Sequence, residues 1–571
     1  MSRLAMLALG LVAVAAWPST ASAQPATTHY LDSAAHPGLR VLYPDAVSQA
    51  NAQGVLDIAD SAWDAQVTVM GYPPPATVDE TDTLIPGLYV YLDPGAQANY
   101  VEPVGDNPGT ARTDCSIYAV VATIDPGEAP TVMWHVFNHA MTMSADCGEV
   151  FTAGEHTAVA VTALKYPGDQ LFKQYFLPSF QKHPFHGLHC YYMQSGLEYF
   201  HFGGGLFDLF LEDRYGDYDG KLLATVWQDA EQDGTVTIAG YNVNMSVPNT
   251  PNIVDATTAA LAPKGKTFAD AFGEFAQWRY FVGTRDDGSH FRDGSKWTGA
   301  EVAIDTNLTV ANLPVTHASP ADPPNALGTV YIELDLSGVG ATEGVRYGLK
   351  GDPSVSWRSD VLLVRSDNTA DVEAVPLDAN GSGEIVLSGT QAYAKAVLVV
   401  SNLGPANYDP DQPGCTASKP FFYDLSVETT ALPPTVTGVS PSELPVGEST
   451  YVWATGTDFA TGISGAFSGD GIQVAGLDFV DATEIGMSLV VGADAALGPR
   501  DLTVTNPDAQ TGTLPGAVVV VAPGAAAGGN GVEPSGGCAC ATGRAPAGGS
   551  SRTAALLGLG LAALLRRRRS R

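Results

Sequence analysis

His135 and His139 stand four residues apart in the run Trp134-His135-Val136-Phe137-Asn138-His139-Ala140. On a helix that spacing aims both imidazoles at one point, where they can share a metal ion. In hydrolytic sites of the form H-E-x-x-H, a glutamate follows the first histidine and takes a proton from metal-bound water. Here Val136 occupies the general-base position and offers no proton acceptor, so no catalytic residue is assigned. Eleven histidines spread over 571 residues produce such a pair by chance often enough that the surrounding elements must decide its meaning.

Those elements read as strand, helix, loop and helix. Residues 116–122 form an apolar run of strand length, and residues 129–143 follow as a helix with Pro130 in its first turn, where a missing N–H is tolerated. A loop around Cys147 leads to a second helix over 154–164, ending before Pro167. Further helices are expected over 45–70, 205–214, 222–232 and 268–282, with a strand over 87–92. Beyond Pro320 the chain changes to short β-rich runs at 329–336, 361–365, 384–387, 396–401 and 421–427, separated by turn residues, as in a sandwich. Leu432-Pro433-Pro434 then links to another β-unit ending near Val521.

A second histidine cluster, His183-Pro184-Phe185-His186-Gly187-Leu188-His189-Cys190, contains proline and glycine, so no regular helix presents its side chains together. It reads as a surface loop with a disulfide-bonded cysteine. The acidic turn Asn407-Tyr408-Asp409-Pro410-Asp411 lacks the ligand spacing of an EF-hand.

Charged residues are only 16% of the chain, and 62 glycines and 39 prolines suit short strands joined by many turns. A formal charge of −33 argues against a nucleic-acid partner, because phosphate binding needs clustered Lys and Arg. At the N-terminus, Arg3, an apolar run over 4–17 and Ala21-Ser22-Ala23 read as a signal peptide, placing the mature start near Gln24. At the other end the apolar segment 554–565 is short of the roughly 20 residues a bilayer span needs, and four arginines follow it. Transient membrane association is the expectation. Setting Cys538 and Cys540 aside leaves Cys115, Cys147, Cys190 and Cys415, an even number in an exported chain. Of the three pairings, Cys115 with Cys147 is favoured, because it would tie the strand before the histidine helix to the loop after it. That leaves Cys190 with Cys415.

Residues 120–216 resemble a group of exported myxobacterial metalloproteases of gluzincin type. They have a strand before H-E-x-x-H-A, an E-x-T-A motif opening the next helix, and a later helix like Leu206-Phe207-Asp208-Leu209-Phe210-Leu211-Glu212. The chain matches at His135, His139, Ala140, Glu155, Thr157 and Ala158 and departs at Val136. The resemblance implies zinc on His135, His139 and Glu155, with a fourth position open. Tyr199 and His201 lie where an oxyanion-stabilising side chain could come from. Val439-Ser440-Pro441, Gly447, Gly456-Thr457-Asp458-Phe459 and Leu502-Thr503-Val504-Thr505-Asn506-Pro507 resemble IPT/TIG immunoglobulin-like domains. The last 35 or so residues, with Gly537-Cys538, resemble the MYXO-CTERM sorting tail, which implies processing near Cys538 by a sorting protease and display at the cell surface.

The expected fold is therefore multidomain α+β: a signal peptide (1–23), a zincin-like α+β domain (24–318), two all-β sandwich domains of Ig-like kind (319–431 and 433–521), a flexible linker (522–537) and the sorting tail (538–571). The leading expectation is a pseudoprotease that binds extracellular proteins or peptides. One alternative is an active zinc endopeptidase using Glu149, or Glu155 if it is not a ligand, as base. The other is a structural or adhesive envelope protein without metal.

Overall fold

A computed structural model describes residues 24–79, 83–124, 129–192, 194–239, 242–317, 322–413, 415 and 423–524. The segments expected as signal peptide (1–23) and sorting tail (538–571, with Cys538), and all but the first residues of the expected linker (522–537), lie outside the described residues. The architecture is mixed α and β in several packed units.

The first unit is built on a seven-stranded sheet: β1 (His29–Asp32), β2 (Leu39–Tyr43), β3 (Ala76–Val78), β4 (Leu84–Pro86), β5 (Leu88–Leu92), β6 (Tyr100–Asp106) and β7 (Cys115–Val121). Strands β2, β5 and β7 run parallel, while β1 and β6 lie antiparallel along β2 and β7. Every residue of β5 and β7 is buried, which is why both read as unbroken apolar runs.

One face of this sheet carries a helix at Gln49–Trp63, capped by the Ser48 side chain on the Asn51 N–H. The sequence suggested one helix over 45–70; the cap delays its start, and Asp64–Met70 winds more widely as a π-helix. The wider turn carries buried Gln66 against the next helix, Ala129–Ala145, which bears the histidines. Gln66 donates to the Trp134 carbonyl (3.2 Å) and accepts from Asn138 (3.2 Å). The histidine helix is thereby braced from its buried side.

The following helix spans Phe151–Lys165 and bears Glu155. It begins three residues before the expected Gly154, so Glu155 lies in its second turn; Gly154 marks no helix start and instead faces His139 across the helix pair. An aromatic core then gathers Leu177–Lys182, Phe200–Gly203, Gly205–Arg214, Lys221–Asp229, Ile253–Leu261 and Phe268–Trp278.

Two sheets follow around one core. Thr306–Thr309, Thr329–Asp335, Lys395–Gly404, Ser356–Val364 and Ala370–Ala374 form one, and Val315–His317, Tyr423–Ala431, Glu343–Gly351 and Ser382–Leu387 the other. Two of these strands precede residue 318, so the change of architecture falls earlier than the sequence suggested. The five-stranded sheet is buried on its outer face as well, where Tyr331, Leu362, Val397 and Val399 pack on Ala276, Tyr280 and Phe281. Tyr331 donates to the Ala276 carbonyl (2.7 Å), fixing this sandwich to the helical unit. After Leu432, two four-stranded sheets enclose a last core that includes Val452, Phe459, Met487 and Leu502.

Both cysteine pairs form as expected. Cys115–Cys147 joins the start of β7 to the loop between the two motif helices, with Cα atoms 5.6 Å apart, and Cys190–Cys415 joins the helical unit to the first sandwich, at 5.3 Å. Among the described residues no helix is long and apolar enough to cross a membrane.

Candidate metal centre

The two motif helices lie side by side, so one turn of each meets at a single point. His135 Nε2 is 3.0 Å from His139 Nε2, and one oxygen of Glu155 is 3.2 Å from the first and 3.3 Å from the second. A triangle with those sides has a centre about 1.8 Å from every corner, so an ion slightly out of its plane meets the zinc bond lengths of about 2.0–2.2 Å. Among the described residues this is the one group of three His, Cys, Asp or Glu side chains arranged to hold a metal ion. The donor set, two imidazoles and a carboxylate, suits zinc.

Burial would raise the Glu155 carboxyl, but His139 and His135 overrule it and hold the group well below the usual carboxylate range. Burial also lowers His135, with Glu155 opposing. Both effects favour the ligand forms, an anionic carboxylate and a neutral imidazole. Phe202 packs on the His135 ring at 6.3 Å, and Asp169 shares a small cavity with the same histidine.

The group opens on a cleft. Its walls are Asn99, Tyr100 and Val101 at the start of β6, Thr142 and Met143 on the histidine helix, Asp146 and Glu149 in the loop, and Trp227. Val136 is 1% exposed and belongs to the apolar core behind the helix. Glu149, the residue offered by sequence as a substitute base, does line the cleft; burial pushes its carboxyl up to about 8. Glu155 is engaged by both imidazoles.

The other matched residues are structural ties. Thr157 donates to Asp208 (2.7 Å) and accepts from the Trp227 indole (3.0 Å), so the Thr157–Asp208 bond clamps the glutamate helix to Gly205–Arg214. Ala158 is buried between helices. His201 is buried near Glu155 and His135 but does not line the cleft, and burial lowers it to about 4. Tyr199 packs against Tyr175 and Phe176.

The segment from His183 to Cys190 is irregular, as its proline and glycine required, yet it is not a surface loop. His189 is 4% exposed and Cys190 is fully buried: Tyr408 packs against His189 with its hydroxyl at 3.0 Å, and Cys415 is bonded to Cys190.

Sequence reasoning did not foresee Asn99, Tyr100, Asp146 or Asp411 near the cleft. The one local signal was the pair of acids flanking Cys147; the rest depends on pairings distant in the chain.

No family model matches this chain, and no curated protein matches it in sequence. Among solved structures, a gamma-CGTase from the alkalophilic Bacillus clarkii is 10% identical, with 36% of this chain and 26% of that one covered and a TM-score of 0.13. A Corynebacterium diphtheriae protein described as membrane anchored is 12% identical, with 36% and 53% covered and a TM-score of 0.12. The chain thus spans about a quarter and about half of those two proteins, and likeness at this level says nothing about function.

Proposed function

We propose that the protein is exported and displayed at the cell surface, where a zincin-like unit holds zinc on His135, His139 and Glu155 and binds extracellular proteins or peptides with little or no hydrolysis. The observation that carries this reading is the convergence of three donor atoms within 3.3 Å at the floor of a cleft. Zinc held there supplies a Lewis acid that can polarise a carbonyl oxygen. The chain's own residues orient that group: Gln66 fixes one motif helix and Thr157 the other. A carboxylate at position 136 is missing, and loss of a positioned base commonly costs on the order of 10² to 10⁴ in rate. The two disulfides suit an oxidising compartment. On this reading the last β-unit is an IPT/TIG-like spacer, and a sorting protease processes the tail at Cys538.

Elemental analysis of the purified protein tests the proposal. About one zinc per chain in the wild type and none in His139→Ala supports it; no zinc in either removes it and leaves a structural or adhesive protein.

A further inference from the structure

The loop between the motif helices holds more acid than the metal group uses. Asp146 and Glu149 line the cleft alongside His139 and Glu155. Asp411 does not line the cleft, but it lies close enough behind it that its charge acts on both of them. Asp146 is well satisfied: it accepts from Thr113 Oγ1 (3.1 Å), the Gly148 N–H (2.9 Å) and Gln232 Nε2 (3.3 Å). Gln232 also donates to Asn249 Oδ1 (3.0 Å), and Asn249 Nδ2 donates to Asp411 (3.0 Å), so one hydrogen-bonded chain runs from the loop to the sandwich.

Glu149 differs. One of its oxygens accepts from the Val150 N–H (2.8 Å), while the other, Oε2, is shut off from solvent with no partner at hydrogen-bond distance, although the Asn249 side chain beside the carboxyl favours its charged form. Among the described residues, no lysine or arginine lines the cleft. A buried carboxylate without a counter-charge is costly, and here burial and the neighbouring Asp146 and Asp411 together press Glu149 toward its neutral form. A cation placed against it would return it to the charged form.

A bare metal ion is the wrong occupant, because only the His135, His139 and Glu155 atoms converge closely enough for one among the described residues. An ammonium or guanidinium on a long stem suits widely spaced acceptors better, since it carries three to five donors. We propose that Glu149, backed by Asp146 and Asp411, is a cationic subsite of the cleft that receives the lysine or arginine side chain of a bound peptide. The proposal rests on the peptide-binding reading above and specifies its ligand.

The test is affinity selection by the full-length, zinc-loaded protein from a hexapeptide pool blocked at both ends, read by mass spectrometry, with zinc content measured on the same sample. Enrichment of lysine or arginine over norleucine and citrulline at one position, by about 30-fold or more, is expected of a buried charge pair. Glu149→Gln keeps the side chain's shape and matches the neutral carboxyl of the free protein while being unable to take a charge, so it folds; it should reduce that preference to near unity while zinc stays at about one per chain. Asp411→Asn should weaken the preference by a smaller factor. Enrichment without a basic preference, or a preference undiminished in Glu149→Gln, overturns the subsite and leaves peptide binding standing. No enrichment of any peptide overturns peptide binding and the subsite together.

Discussion

Two groups of histidines lie in the same helical unit and differ in how their polar atoms are met. His135 and His139 share one carboxylate oxygen and point at each other. The three histidines of the later segment each have a private partner: His183 the Ser179 carbonyl (2.9 Å), His186 the Tyr192 hydroxyl (2.9 Å) and His189 the Tyr408 hydroxyl (3.0 Å). The second group is denser in sequence and still does not converge, because Pro184 and Gly187 break the periodicity that a helix imposes on the first. Convergence on a shared acid marks a candidate metal site; separate neutral partners mark packing. Burial lowers His186 to about 4 and His189 to about 3, and it lowers His135 too, so neutrality is common to both groups and the shared carboxylate is what separates them.

The comparison breaks most sharply in paired substitutions. His139→Ala should abolish zinc binding at micromolar metal, since three protein donors share a binding energy of about 10–16 kcal/mol in structural sites. His189→Ala, assayed beside it by competitive chelator titration, should leave the stoichiometry untouched. Loss of zinc in both variants would erase the difference between the two groups.

Val136→Glu sharpens it from the catalytic side. Position 136 does not line the cleft, but it lies one heptad before Met143, which packs on the same core and borders the cleft, so Val136→Glu tests whether a carboxylate on that face can serve the metal. Hydrolysis of a fluorogenic peptide should rise by about 10²- to 10⁴-fold over wild type. Melting should occur at a lower temperature, because the residue is 1% exposed and packed in the core. A folded, zinc-loaded variant with unchanged turnover would mean that the cleft does not present a scissile bond to the metal.

Acid titration separates the groups more gently. The folded-state pKa of His189 is depressed, so its contribution to stability is present above the unfolded value of about 6.5 and is lost as pH falls through about 3. His189→Gln removes that titration and should move the acid-unfolding midpoint, followed by circular dichroism, to lower pH. A midpoint that stays where it was would assign acid unfolding to other groups.

The smallest effect concerns the glutamate helix. Thr157→Val strands the buried Asp208 carboxyl and the Trp227 N–H, at a cost of about 1–3 kcal/mol by urea unfolding. Zinc stoichiometry should be preserved.

The histidine pair was legible because helical spacing is local, and β5 and β7 because parallel strands buried on both faces read as apolar runs. Cys115–Cys147 was legible because it closes a short strand–helix–loop path. The start of the glutamate helix was misplaced, since Gly154 resembles a boundary and in fact sits where two helices approach. The burial of His189 was hidden because its cover, Tyr408, lies more than two hundred residues away. The same distance hid Asp411, and the sandwich's earlier start was hidden because Thr306–Thr309 acquires its identity only by pairing with Thr329–Asp335.

The Cys190–Cys415 bond has a sequence separation of 225 residues, and within that span lie the cleft's Trp227, the chain of Gln232 and Asn249, and Asp411. The bond therefore makes the middle of the protein a covalent ring. A protease that nicks any loop inside it sheds no fragment: the cut molecule keeps its mass, and the two pieces part on a gel only after reduction. Such a cut leaves every wall of the cleft attached.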